Sequence, residues 1–154
     1  MANDAPTHNS PFAPQIVHLG LGAFFRAHGA LYLQDINEKS NLPWRITGTS
    51  MKSSRTRDVL IKSNYRTHVM EKGPINSIIK VLTIINKSLF LQDNRKILIS
   101  EIVSRETFLV TMTITEKGYC RIPATGRLDL DHPDIQHDLR SDKPVSAIGL
   151  LVQA

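Results

Sequence analysis

The sequence predicts an α/β fold, a mostly parallel sheet with flanking helices and an inserted β-hairpin. The first observation behind this is Ile16-Val17-His18-Leu19-Gly20-Leu21-Gly22-Ala23-Phe24-Phe25-Arg26-Ala27-His28, an apolar strand that passes through two close glycines into helix-forming residues. A dinucleotide-binding, Rossmann-like sheet begins in this order. The second is Phe108–Ile114, a β-branched and aromatic run whose C-terminal end enters Thr115-Glu116-Lys117-Gly118-Tyr119. Ligands of open α/β sheets lie beyond such strand ends. The third is Leu91–Arg105 just before that run, a segment readable as helix or extended strand. A crossover back into a parallel sheet favours the helix.

Residues 1–14 carry Pro6, Pro11 and Pro14 among small polar residues and are expected to form an irregular tail. The first strand is predicted at 15–19. The first helix is predicted from Ala23 to Glu38, with Phe24, Ala27 and Leu31 spaced to face the sheet. Gly29 inside it costs about 1 kcal/mol relative to alanine. Asn41-Leu42-Pro43 breaks the helix, and Trp44–Ser50 reads as the second strand. Tyr65–Glu71 alternates polar and apolar residues, Lys72-Gly73-Pro74 ends it, and Ile75–Leu82 is expected to pair with it as the hairpin. Val110, Met112 and Ile114 share one face of the later strand, and Thr111, Thr113 and Thr115 the other. A helix capped near Asp131 or Asp134 follows, and Pro144–Ala154 reads as the first turns of an apolar helix.

At 154 residues the chain has the length of one domain. Its 41% hydrophobic and 21% charged content is that of a globular protein. No apolar run reaches the ~20 residues of a membrane span, and the start lacks a basic region followed by an apolar one. The reading is therefore no membrane partner and no export, with a reducing cytoplasm as the natural home. One cysteine, Cys120, excludes an internal disulfide, and no Cys or His pair has zinc spacing. No metal is expected, and Cys120 reads as a small buried residue rather than a nucleophile. The Asp129–His137 stretch is acidic and histidine-rich but fits no standard metal spacing. The net charge of +5 is scattered rather than clustered, so nucleic acid is not expected as a partner.

Within the glycine segment, Gly20 would make the tight turn and Gly22 would let the backbone approach a pyrophosphate with no Cβ in the way. The helix N-terminus would add partial positive charge. The third glycine of the usual motif is replaced by Phe25, so the bare pattern also fits an ordinary strand-turn-helix. Past the second strand the adenosine ribose would lie against Ser50, Met51, Lys52, Ser53, Ser54 and Arg55, with no carboxylate before Asp58. NAD-selective sheets usually place an Asp or Glu there. Lys52 or Arg55 pairing with a 2′-phosphate would give tolerance of NADP. An exposed basic start to a helix explains the same residues.

The wording His18-Leu19-Gly20-Leu21-Gly22-Ala23-Phe24-Phe25-Arg26-Ala27-His28 resembles the mannitol dehydrogenase family of long-chain polyol and hexuronate dehydrogenases, which commonly reads Gly-x-Gly-x-Phe-x-Arg-Ala-His there. Thr115–Tyr119 is similar to the family's Thr-Glu-Lys-Gly-Tyr, and Leu128–Ile135 to its Leu-Asp-x-x-His-Pro-x-Ile. The resemblance runs from about Ile16 to Ala154 and implies the N-terminal dinucleotide-binding domain at 15–154. It also implies that this domain is truncated and incomplete at its C-terminus, with the helical substrate domain and its Lys, Asn and His absent. It implies NAD as cofactor, with NADP possible, and Gly20, Gly22, Phe24, Arg26 and Lys52 on the cofactor side. Glu116 would be a proton relay, as the family's glutamate is here. A surface Glu–Lys pair explains Glu116 equally well, and helix packing explains Arg26 and His28. The implied activity is metal-independent, reversible oxidation of a sugar alcohol or hexuronate, mannitol/fructose or mannonate/fructuronate, by the full-length parent. The alternative is a non-catalytic nucleotide-binding or interaction module.

Overall fold

The computed structural model describes residues 13–39 and 43–154. The tail expected at 1–14 lies almost wholly outside them, as does the Asn41-Leu42 part of the helix breaker. Four parallel strands form the sheet: β1 (Gln15–Leu19), β2 (Arg45–Ser50), β5 (Ile85–Phe90) and β6 (Thr107–Met112), in the order β5-β2-β1-β6. This is the third, second, first and fourth strand order of a dinucleotide-binding sheet. The remaining strands, β3 (Thr67–Lys72) and β4 (Ser77–Leu82), form the expected antiparallel hairpin, in register from Thr67 opposite Leu82 to Lys72 opposite Ser77.

β1 is central and fully buried because its side chains alternate between two cores. Ile16 enters one, with Ile46, Leu60, Val69, Leu82 and Ile84. That core is covered by α1 (Ala23–Ala27), α2 (Gly29–Asn37) and α3 (Arg55–Lys62). Val17 and Leu19 enter the other, with Leu89, Leu91, Leu98, Ala147 and Leu150. Its helices are α4 (Leu91–Ile102) and α6 (Ala147–Gln153), and Val110, Met112 and Ile114 pack on it as one face of β6 and its extension. Between them, a 3-10 turn (Glu116–Tyr119) and α5 (Pro133–Asp138) occupy the long connection. Among the described residues no helix is long and apolar enough to cross a membrane.

Three expectations are corrected. The single helix Ala23–Glu38 is two helices, with His28 at the junction in a non-helical conformation (φ −122°, ψ −78°). Phe24, expected on the sheet face, is 70% exposed; Phe25 is buried instead, stacked on His18 at 3.3 Å between ring centroids. Gly29 opens α2 rather than interrupting a helix, and a Cβ there would sit 2.8 Å from the Phe25 ring, which would have to shift. The capped helix start expected near Asp131 or Asp134 falls between them, at Pro133, where His132 Nδ1 accepts from the Asp134 N–H at 3.2 Å. β5 carries no sequence expectation at all, because Asn86-Lys87-Ser88 breaks its apolar pattern.

Candidate nucleotide site at the glycine turn

Gly20 and Gly22 are both needed, for different reasons. Gly20 has φ +96°, and a Cβ built on it would fall 2.3 Å from the Thr113 carbonyl oxygen. The turn is thus pressed against the chain leaving β6, and only glycine fits. Its N–H and that of Leu21 both donate to the Thr49 carbonyl, at 2.9 and 3.0 Å, which ties the turn to the end of β2. At Gly22 the nearest atom to a built Cβ is the Gly20 oxygen at 3.8 Å. The fold makes no demand for glycine there; the open space is what a ligand approaching the backbone at the start of α1 would use.

A buried polar network that the sequence did not announce holds the turn. His18 is 1% exposed. Its Nδ1 lies 2.7 Å from Thr111 Oγ1 and its Nε2 2.9 Å from Thr113 Oγ1. Thr113 Oγ1 donates its proton to the Gly20 carbonyl at 2.9 Å. The hydroxyl therefore accepts from Nε2–H, and Nδ1 accepts from the Thr111 hydroxyl. Burial pushes the imidazole pKa down to about 4, so His18 stays neutral and keeps one tautomer. The available signals were a histidine inside an apolar strand and threonines on one face of β6.

Arg26 reaches back to the turn and donates from Nη1 to the Leu21 carbonyl at 2.9 Å. Burial lowers its pKa. Together with Ala23, Arg55, Thr56, Val59 and Thr67 it lines a cavity of about 390 Å³ between α1 and α3. Phe24 turns away from the sheet and packs at 4.8 Å against His28. Lys52 is exposed just beyond β2. Beside it the buried hydroxyls of Thr49 and Ser50 have no hydrogen-bond partner among the described residues. Unpartnered buried oxygens at a strand end suit a ligand that supplies donors or acceptors, as a ribose does. The first carboxylate after β2, Asp58, is already engaged: it accepts from Ser54 Oγ and from Arg57 Nε, both at 2.8 Å. Arg57 in turn donates to Asp93 at 2.6 Å.

Glu116 opens the 3-10 turn beyond β6, and its side chain is 73% exposed. It pairs with Arg121 at 3.1 Å rather than with Lys117. The turn thus gathers Gly20, Gly22 and Arg26. Lys52 and Glu116 lie beyond the C-terminal ends of β2 and β6, the strands that flank β1.

A family model described as the mannitol dehydrogenase Rossmann domain matches residues 14–154. D-mannonate oxidoreductase of Escherichia coli (strain K12) is 36% identical over 151 residues, which cover 95% of this chain and 31% of that protein. Mannitol 2-dehydrogenase of Pyricularia oryzae is 34% identical over 145 residues, covering 90% of this chain and 29% of the relative. Among solved structures, Pseudomonas fluorescens mannitol 2-dehydrogenase in a ternary complex with NAD and D-mannitol superposes with a TM-score of 0.84 at 33% identity, over 93% of this chain and 31% of that one. A substrate-free D-sorbitol dehydrogenase gives 0.83 at 30% identity, over 92% and 30%. The chain spans about three tenths of the length of these relatives. By sequence and by fold alike, it belongs to the mannitol dehydrogenase family and forms that family's Rossmann domain.

Proposed function

We propose that this chain is the NAD-binding portion of a polyol or hexuronate dehydrogenase, of the mannitol/fructose or mannonate/fructuronate type, working in a reducing cytoplasm. The observation that carries the reading is the glycine turn: Gly20 is locked against Thr113 while Gly22 leaves open space at the head of α1. The nicotinamide, when bound, supplies the hydride chemistry at a secondary CH–OH carbon. This chain's own contribution is to bind and orient. The N–H groups of Gly20, Leu21 and Gly22 are held by the Thr49 and Gly20 carbonyls, so the first backbone N–H groups of α1 serve the pyrophosphate, and Arg26 fixes the turn through the Leu21 carbonyl rather than by direct contact. Ser50 offers its unpartnered hydroxyl to the adenosine ribose. Glu116, exposed at the loop beyond β6, passes the proton of alcohol oxidation to water.

NADP is tolerated in this reading. Among the described residues no free carboxylate follows β2 closely enough to repel a 2′-phosphate, because Asp58 is held by Ser54 and Arg57. Lys52 is exposed at the place where the phosphate would lie, and Arg55 lines the adjoining cavity.

A thermal-shift titration with NADH and NADPH tests the proposal. The expected result is a rise in Tm with either cofactor, abolished by Gly22→Asp; Lys52→Ala should weaken NADPH several-fold and leave NADH nearly unchanged. No shift from a cooperatively folded chain would sink the binding reading. A shift without turnover is the signature of a nucleotide-binding module.

A further inference from the structure

We propose that Cys120, His132 and Asp134 form a binding site for a zinc-class divalent cation, which fastens the loop beyond β6 to the start of α5. Twelve to fourteen residues separate the cysteine from its partners, a spacing that matches no zinc pattern, and the fold supplies what the spacing lacks. The chain leaves Cys120 through a bridge between Arg121 and Leu128 and returns so that the Asp129 N–H donates to the Cys120 carbonyl at 2.8 Å. The His132 N–H then donates to the Asp129 carbonyl at 3.2 Å. These bonds bring one ligand atom from each of Cys120, His132 and Asp134 within 4.8 Å of one another.

The donor set selects the ion. A thiolate, an imidazole and a carboxylate suit Zn(II) or its spectroscopic stand-in Co(II), whereas Mg(II) and Ca(II) take oxygen donors alone. Ligand atoms around tetrahedral zinc lie roughly 3.5 Å apart. His132 is half-buried and Asp134 exposed, so both side chains have room to close on the buried thiol. Burial raises the pKa of the Cys120 thiol, and the charges of Asp134, Asp138 and Asp129 raise it further, so the cation must displace a firmly held proton. Binding deprotonates the thiol and releases one proton to solvent, with water completing the fourth position. The imidazole gives up its acceptor bond from the Asp134 N–H and becomes a ligand instead. The same loop carries Glu116, so the cation would stiffen the segment leading from β6 without taking part in hydride transfer. The inference does not depend on the nucleotide reading.

The test is a Co(II) titration of the untagged chain in a thiol-free, non-chelating reductant. Because Cys120 is the sole cysteine, any sulfur-to-cobalt charge-transfer band reports this site alone. The expected band saturates at one equivalent, disappears when zinc is added, and is absent in Cys120→Ser. Asp134→Ala leaves the His132 cap acceptor in place and His132→Ala removes it; each should weaken cobalt binding at least tenfold. The proposal is overturned by no band at stoichiometric cobalt, or by a band whose affinity is unchanged in both of these surface variants.

Discussion

The two ends of the sheet are built on opposite terms. At the N-terminal end, Gln15 Nε2 donates to Glu101 Oε2 at 2.8 Å and to Thr107 Oγ1 at 3.0 Å, and Arg45 Nε donates to Gln15 Oε1 at 3.1 Å. Lys87 pairs with Glu101 and Arg45 with Glu106. Side chains of β1, β2, β5, α4 and β6 thus close one another's hydrogen-bonding needs, with Asn86 Oδ1 the exception. At the C-terminal half the pattern reverses. Apart from the satisfied His18–Thr111–Thr113 network, Thr49, Ser50 and Ser88 keep buried hydroxyls without partners among the described residues, and a glycine turn stands where a side chain would seal the edge. Saturated polar groups hold a sheet together, while unsaturated ones at its rim leave capacity for a ligand. The difference supports placing the proposed cofactor site at the C-terminal half.

The largest effect should come from separating the two glycines of the turn. Gly20→Ala forces a left-handed residue to carry a Cβ 2.3 Å from the Thr113 carbonyl, and the main chain must move to relieve it. The expected loss is roughly 3 kcal/mol or more in urea unfolding. Gly22→Ala meets nothing closer than 3.8 Å and should fall within about 1 kcal/mol of wild type while weakening NADH. Equal losses in the two variants would erase the distinction between the glycine that serves the fold and the one that serves the ligand.

Next in size is the pH response of His18, which belongs to the C-terminal half. Its folded pKa of about 4 lies below the unfolded value of 6.5, so above pH 6.5 both states are neutral and the full stability is present. As the pH falls from 6.5 towards 4 the unfolded chain takes up a proton that the folded chain refuses. About 3 kcal/mol of stability is lost across that window. Unfolding at pH 7 and at pH 4.5 should show the slope in wild type and a much flatter response in His18→Gln. The same slope in both would exonerate His18.

Much of this asymmetry could be read in advance. The strand-turn-helix at Ile16–His28, the hairpin and the β6 run were legible because their apolar periodicities are local. β5 was not, since Asn86, Lys87 and Ser88 are polar for reasons that lie on other elements: Lys87 answers Glu101, and Ser88 is buried beside β2. Phe24 and Phe25 exchanged places because a three-residue spacing rule assumes one continuous helix, and His28 interrupts it. His18 went unnoticed because its meaning depends on Thr111 and Thr113, more than ninety residues away. Cys120, His132 and Asp134 are likewise scattered in sequence and joined only by the loop that folds between them.

The smallest effect tests the saturated end. Burial by itself disfavours a charged Glu101, yet hydrogen bonds from Lys87 and Gln15 and the nearby charges of Lys87 and Arg45 outweigh it and hold the carboxyl below its ordinary range. Its contribution is therefore present above pH 4.5 and disappears below it, a window lying mostly under that of His18. Glu101→Gln keeps the shape and most of the acceptor geometry but removes the charge. Because Lys87 is 44% exposed, water takes over much of its solvation. The expected cost is about 1 kcal/mol in urea unfolding at pH 7, reduced by added salt. Cofactor binding should be unaffected, since the residue sits at the opposite edge from Gly22. A loss of NADH binding out of proportion to that small destabilisation would mean that the two ends of the sheet are coupled through β1 rather than independent.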